Sequence, residues 1–445
     1  MIDLIQQLAI LDGLLNSWEV VQAKMGPASA AQEQELAKLA MQLSAASEPG
    51  EIARALDDLL ELVEDTPAYD YVRRLLARAQ LPEETVRRGP SAAPLAPEDD
   101  LPLRNAVTMT GRVLGAAAVS PVETCLVPIF FATNRKEDAT QPPENRFSAE
   151  DAKTITFGLA QVTIPVARHR LGRLEAPVWW NLFVDERDAT RFVVLHRLGR
   201  LGTQEFCNEL SRAAAQQSRT SVLIFLHGYN VTFDEAVRRA AQLAYDLRFQ
   251  GPLVLFSWPS LGSTFGYLAD EDRAALSAKV FVEFLRVLEG GPWEEVHLVG
   301  HSMGNRVVIF GLADNPAPAL PFGQMVFVAA DVYVELFEQK FPNILGIGRL
   351  KTSYASKGDR ALLLSSWLHR AARIGLIRGE PYVSTGLETV DASVVDTSLL
   401  SLGHSYFGQK RSTITDLGYL LREGLPAARR GLEQLPGKKY WDFPR

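Results

Sequence analysis

The spacing of apolar residues changes character partway along the chain. Leu4, Leu8, Leu11, Leu15 and Trp18 recur at helical spacing until Gly26-Pro27 interrupts them. Leu36, Leu39 and Leu43 form a second stripe, and Ile52, Leu56, Leu59, Leu60 and Val63 a third. Thr66-Pro67 reads as an N-cap followed by proline in the first helical position, opening a fourth stripe through Val72, Leu75, Leu76 and Ala79. Residues 1–80 are therefore expected to form a small all-α segment, a bundle that covers its own apolar faces or offers one to a partner. Five prolines between residues 82 and 102, with an acidic triplet at 98–100, mark a linker. Residues 81–120 are taken as this linker and a connecting segment.

From residue 121 to residue 445 the pattern alternates between short apolar runs and helical stripes. Strands are expected over 126–132, 154–164, 192–195, 221–226, 253–256, 296–299, 325–328, 351–355 and 387–390. The run at 221–226, Ser-Val-Leu-Ile-Phe-Leu, is apolar without alternation, the mark of a strand buried on both faces. Helices are expected over 203–217, from 232 to 248, and over 270–289, 360–373 and 413–432. The second of these opens with Thr232 and Glu235, a capping box. Pro128 gives the first strand the look of an edge strand. Such alternation predicts an α/β fold with a mostly parallel central sheet, helices on both faces and ligands at the carboxyl ends of the strands.

Composition narrows the reading. The 445 residues are 47% hydrophobic and 22% charged, which supplies ample core, and the formal net charge of -7 speaks against a nucleic-acid footprint. Two cysteines, Cys125 and Cys207, suggest neither a disulfide framework nor a zinc cage. The first residues lack the basic start of a signal peptide and the longest weakly polar run is too short to span a bilayer. A cytoplasmic protein without cofactor or metal is expected.

The candidate chemistry centres on Gly300-His301-Ser302-Met303-Gly304. An apolar run stops at a serine and a helix-compatible run begins, the layout of a nucleophile elbow. The pentapeptide alone arises by chance in about one chain in ten of this length, so the serine's partners matter. Leu226-His227-Gly228-Tyr229 ends an earlier buried strand, where the Tyr229 N–H, with that of Met303, could form an oxyanion hole. The expected chain order is serine, acid, histidine. Of seven histidines only His369 and His404 follow Ser302, and His404 lies in a glycine-flanked loop suited to reach back. For the acid, Asp359, after the penultimate strand, is favoured over Asp331. Asp391 and Asp396 are assigned to the last strand and its loop, and both favoured candidates have a competing reading as helix N-caps. Trp258 and Trp179-Trp180 are candidate walls of an acyl pocket, with ordinary packing as the rival reading.

Several stretches together resemble the α/β-hydrolase superfamily, and more narrowly a bacterial branch of serine hydrolases described as esterases. They are Phe131-Ala132-Thr133-Asn134-Arg135, Phe225 to Phe233, Phe256-Ser257-Trp258-Pro259-Ser260, Gly300 to Arg306, Val395 to Leu399 and Gly403-His404-Ser405-Tyr406. The resemblance runs from about residue 127 to residue 443 and implies a Ser–His–Asp ester hydrolase with no cofactor. Ala329-Ala330-Asp331 departs from it, since the family often has proline before that aspartate. A small-molecule or lipid-like ester is the expected substrate. A thioesterase, lipase or amidase would share the same triad. An interaction protein working through the helices of residues 1–80, by self-association or a protein partner, is the reading from another class.

Overall fold

The structure is a computed structural model that describes residues 124–172, 174–175, 187–262, 267–357, 372–393 and 413–444, together with position 58. The expected helices of residues 1–80, the linker and the helix at 360–373 lie outside these residues, except for the last two positions of that helix.

Ten strands form one sheet in the order β10-β9-β8-β7-β6-β4-β5-β1-β2-β3. They are β1 (Cys125–Glu137), β2 (Phe147–Ile164), β3 (Val194–Leu201), β4 (Ser221–Leu226), β5 (Leu253–Ser257), β6 (Glu295–His301), β7 (Phe322–Val328), β8 (Lys351–Ala355), β9 (Glu388–Asp391) and β10 (Trp441–Asp442). Only β2 runs against the rest, pairing antiparallel with β1 and β3. The α-helices between and after the strands are α1 (Thr203–Ala215), α2 (Phe233–Leu247), α3 (Tyr267–Val287), α4 (Gly304–Asp314), α5 (Val334–Ile344) and α6 (Thr413–Glu423). The mostly parallel sheet with helices on both faces is the architecture expected from the alternating pattern.

Period-two alternation assigns the faces. On β1, Phe130 meets Phe206 of α1 edge-on at 5.8 Å, while its neighbour Phe131 meets Phe233 of α2 at 5.2 Å on the opposite face. Each such ring, fully buried, contributes about 1.5–3 kcal/mol. Phe256 of β5 continues the first face against Phe281 and Phe284 of α3. Thr232 caps α2 as its sequence suggests: its hydroxyl accepts from the Glu235 N–H, and the Glu235 carboxylate accepts the Thr232 N–H at 2.8 Å.

Three expectations need correction. β1 is an interior strand, not an edge. Pro128 is tolerated because β5 pairs with β1 only from Phe130 to Thr133, so the missing N–H falls where only β2 runs alongside. The last helix ends at Glu423 rather than near 432. Gly424 adopts φ +60° and Pro426 follows, and the apolar residues beyond continue as a single 3-10 turn and loop. α5 is not among the expected helices, and only the N-cap reading of Asp331 hints at it. Pro342 lies inside it, although Phe337, Phe341 and Ile344 keep helical spacing and are buried.

Below the sheet, away from the carboxyl ends of its strands, the loop after β2 is tied to the end of α2 by a buried histidine. His169 Nδ1 lies 2.8 Å from Glu175 and Nε2 2.6 Å from Asp246. Burial lowers the proton affinity of the ring, but the hydrogen bonds from both carboxylates overcome it and raise the pKa to about 9. A folded-state pKa above the unfolded value gives stability that is complete below about pH 6.5 and lost as pH rises through 9. With allowance for solvent screening, about 2 kcal/mol is at stake. Urea unfolding between pH 6 and pH 10 should show this decline, and His169→Gln should flatten it; an equal slope in both proteins would contradict the ion-pair account.

Candidate active site

Strand β4 lies between β6 and β5, so the chain leaves it toward one side of the sheet and returns on the other. Crevices at such switch points, outside the carboxyl ends of the strands, are where ligands bind in open α/β sheets. The Gly300–Gly304 pentapeptide and the His227-Gly228-Tyr229 turn occupy the ends of β6 and β4, and the register pairs Leu226 with Gly300.

Ser302 sits between β6 and α4 with φ +48°, a left-handed conformation that costs a non-glycine residue about 1–2 kcal/mol. Hydrogen bonds hold it there. Its N–H donates to the Val328 carbonyl at 2.9 Å. Its own carbonyl accepts from Asp331 N–H at 3.2 Å and from the Asn305 side-chain amide at 3.0 Å. The Ser302 side chain is buried, yet its Oγ has no hydrogen-bond partner among the described residues. Burial of an unpaired hydroxyl is unfavourable, and such groups recur where a partner arrives with function.

The flanking glycines are needed sterically. A Cβ on Gly300 would come within 2.3 Å of Asn305 Oδ1, and one on Gly304 within 2.4 Å of the His227 carbonyl. The first turn of α4 thus packs directly on the end of β4. Gly228 is constrained less severely, since a Cβ there would lie 2.9 Å from His301 Nδ1 and 3.0 Å from Ser302 Cβ. Through this contact the turn carrying Tyr229 stands against the serine. Met303, fully buried, precedes the first residue of α4, where backbone N–H groups have no carbonyl one turn earlier and favour negative charge.

Trp258 does not line an open pocket. It is fully buried, stacks on the His227 ring at 5.1 Å and donates its indole N–H to the His227 carbonyl at 2.8 Å. The packing reading holds for it. Burial, reinforced by the Arg135 cation, holds His227 well below the ordinary histidine pKa, and burial pushes His301 down to about 3.

Asp331 follows β7 by three residues, past Ala329 at φ +46°. It is not a helix N-cap, since α5 starts at Val334 behind Tyr333. Its Oδ1 pairs with Arg373 Nε at 2.8 Å, and its Oδ2 accepts from the Tyr267 hydroxyl at 2.6 Å. Arg373 stacks over the Tyr333 ring at 3.6 Å, and Arg306 Nε donates to the Asp331 carbonyl at 2.9 Å. Arg306 also pairs with Glu271 of α3. Of these partners of Asp331 only Arg306 belongs to a stretch singled out in the sequence; Tyr267 and Arg373 come from α3 and a distant loop. Asp391 ends β9, as expected, and accepts the Ser393 N–H at 2.8 Å. Asp359, His369, His404, Asp396 and Trp179-Trp180 lie outside the described residues.

A cavity of about 240 Å³ lies beside the Arg373 pair, between Val334, Leu376 and Tyr382. Its lining includes neither Ser302 nor the β4 turn, so it is separate from the elbow. Among the described residues no group of three His, Cys, Asp or Glu side chains is placed to hold a metal ion, and no helix is long and apolar enough to cross a membrane.

Comparison with known proteins agrees with this fold. Residues 203–420 match a family described as an alpha/beta hydrolase of unknown function (DUF900). No curated protein matches the chain. The matched region begins at α1 and ends in α6, and takes in β4 to β9 with the turn at Ser302. Together with the mostly parallel sheet, the match shows that this part of the chain is similar to alpha/beta hydrolases and has their fold.

Proposed function

We propose that this domain is a serine hydrolase of carboxylic esters. Ser302 Oγ attacks the ester carbonyl while His404 takes its proton, and Asp359 orients the imidazole. The N–H groups of Tyr229 and Met303 hold the oxyanion of the tetrahedral intermediate. Collapse expels the alcohol, which receives its proton from His404. Water then attacks the acyl-enzyme with His404 as base and releases the acid.

The observation that carries this reading is the state of Ser302: a buried hydroxyl in a left-handed turn, packed against Gly228, with no partner among the described residues. His301 precedes Ser302 and His227 lies in the adjoining turn after β4, yet the Oγ bonds to neither. This supports a base from the later part of the chain, where His404 stands. A fluorophosphonate probe is expected to modify Ser302, identified by peptide mass mapping. A panel of p-nitrophenyl esters of graded acyl length, with one thioester and one anilide, should show ester turnover first and define the leaving group. Folded protein that resists the probe would exclude the serine mechanism.

A further inference from the structure

Arg135 is a buried cation that the proposed mechanism does not use. It ends the Phe-Ala-Thr-Asn-Arg stretch of β1 and is 1% exposed. No carboxylate among the ion pairs of the described residues touches it. Its donors go instead to Ser257 Oγ from Nε at 3.0 Å, to the Val231 carbonyl from Nη2 at 2.7 Å, and to the Ser260 and Ser148 carbonyls from Nη1 at 3.0 and 3.4 Å. Two of these carbonyls belong to the loops that follow β4 and β5. The same two loops are stitched by Asp270, whose carboxylate accepts from Asn230 N–H at 3.2 Å, Ser260 Oγ at 2.5 Å and Leu261 N–H at 2.8 Å.

The proton order along the bonds from Arg135 to the turn at Tyr229 is set at its far end, by a carbonyl that can only accept. A guanidinium donates and never accepts. Ser257 Oγ receives the Arg135 Nε–H on one lone pair, which leaves its own proton available to face His227 Nε2, at 3.2 Å. His227 Nδ1 faces a carbonyl oxygen and so carries the ring proton, and in the neutral ring Nε2 is the acceptor from Ser257. Nδ1 lies 2.8 Å from the Gly228 carbonyl and donates to it. That carbonyl and the Tyr229 N–H are the two ends of one peptide unit. The unit is trans, like every described peptide bond, so they point in opposite directions. Holding the carbonyl on the His227 side aims the Tyr229 N–H away from that ring. Gly228, the start of that peptide, is the residue packed on Ser302. Trp258, stacked on the imidazole and bonded to the His227 carbonyl, prevents the ring from turning.

We infer that Arg135 is a positioning residue: through Ser257 and the Nδ1-protonated, neutral His227 it fixes the Gly228–Tyr229 peptide whose N–H receives the oxyanion. The inference rests on the esterase reading for its kinetic consequence, but not for the proton order. Burial and the Arg135 charge, with His301 adding a smaller contribution, keep His227 neutral, in agreement with the relay.

Two variants and one spectroscopic measurement test it. Ser257→Ala removes the relay with little change in volume, and Arg135→Gln replaces a donor-only group by one that can also accept. Each should lower kcat for a p-nitrophenyl ester about 10- to 100-fold, with KM within about threefold. That is less than the 10²–10³-fold cost of removing an oxyanion donor outright. Fluorophosphonate labelling of Ser302 should slow in proportion. ¹⁵N spectra of the wild-type histidines at pH 7 should show His227 neutral with its proton on Nδ1, and Ser257→Ala should mix the tautomers. Variants that melt earlier but retain kcat within threefold would reduce Arg135 to a framework residue and overturn the inference. An Nε2-protonated or cationic His227 in the wild type would overturn it as well. Wild-type protein that neither labels nor turns over esters would instead defeat the esterase reading, and the ¹⁵N spectra would still decide the proton order.

Discussion

Ser302→Ala is expected to lower ester turnover by at least 10⁴-fold and to abolish fluorophosphonate labelling. The magnitude follows from the role: once the attacking oxygen is gone, the oxyanion donors and binding contacts have no intermediate to stabilise, and single losses within a triad reach about 10⁴ to 10⁶ in kcat. The fold should survive, because Ser302 Oγ makes no hydrogen bond among the described residues. Alanine also tolerates φ +48° no worse than serine, as Ala329 at φ +46° illustrates in the same structure. Thermal unfolding within about 2 °C of wild type, beside lost turnover, is the expected pair of results. Retained turnover in Ser302→Ala would place the nucleophile elsewhere.

The second large effect separates two aspartates. Asp359→Asn should cost about 10⁴-fold in kcat with little change in stability, since the amide keeps the size of the acid but cannot hold the imidazole in its working tautomer. Asp331→Asn should do the reverse. Asp331 is 1% exposed and its carboxylate joins Arg373 and Tyr267. Neutralising it leaves the Arg373 charge buried, a change that costs about 3–5 kcal/mol. Urea unfolding and ester kinetics on both variants read the two effects separately. A stable but inactive Asp331→Asn beside an active Asp359→Asn would transfer the acid role to Asp331.

What could be read from the sequence depended on the range of the interaction. The capping box of α2 and the doubly buried β4 are local patterns, and both appear where their residues indicate. The glycines around Ser302 were legible for the same reason: their requirement is set by Leu226, His227 and Asn305, which belong to the recognised motifs. Pro128 misled because its tolerance depends on how far β5 extends beside it, a register that no local pattern states. Pro342 concealed α5, whose stability comes from burying Phe337 and Phe341 rather than from propensity. The Asp331 cluster was not legible because Tyr267 and Arg373 are individually unremarkable and meet Arg306 of the serine motif only in the fold. Arg135 was visible as part of a motif, but its contacts with residues over 120 positions away gave no sign of its purpose.

A sheet ten strands wide still has only two rims, and a rim is where one protein molecule can add itself to another. On one side the rim is β10, two residues long and closed soon after by Pro444, too short to template a neighbour. On the other it is β3, which carries the exposed charged side chains Arg197 and Arg200 where a second copy would have to pair. The apolar central strands can therefore be long and continuous without making the folded domain prone to edge-to-edge polymerisation.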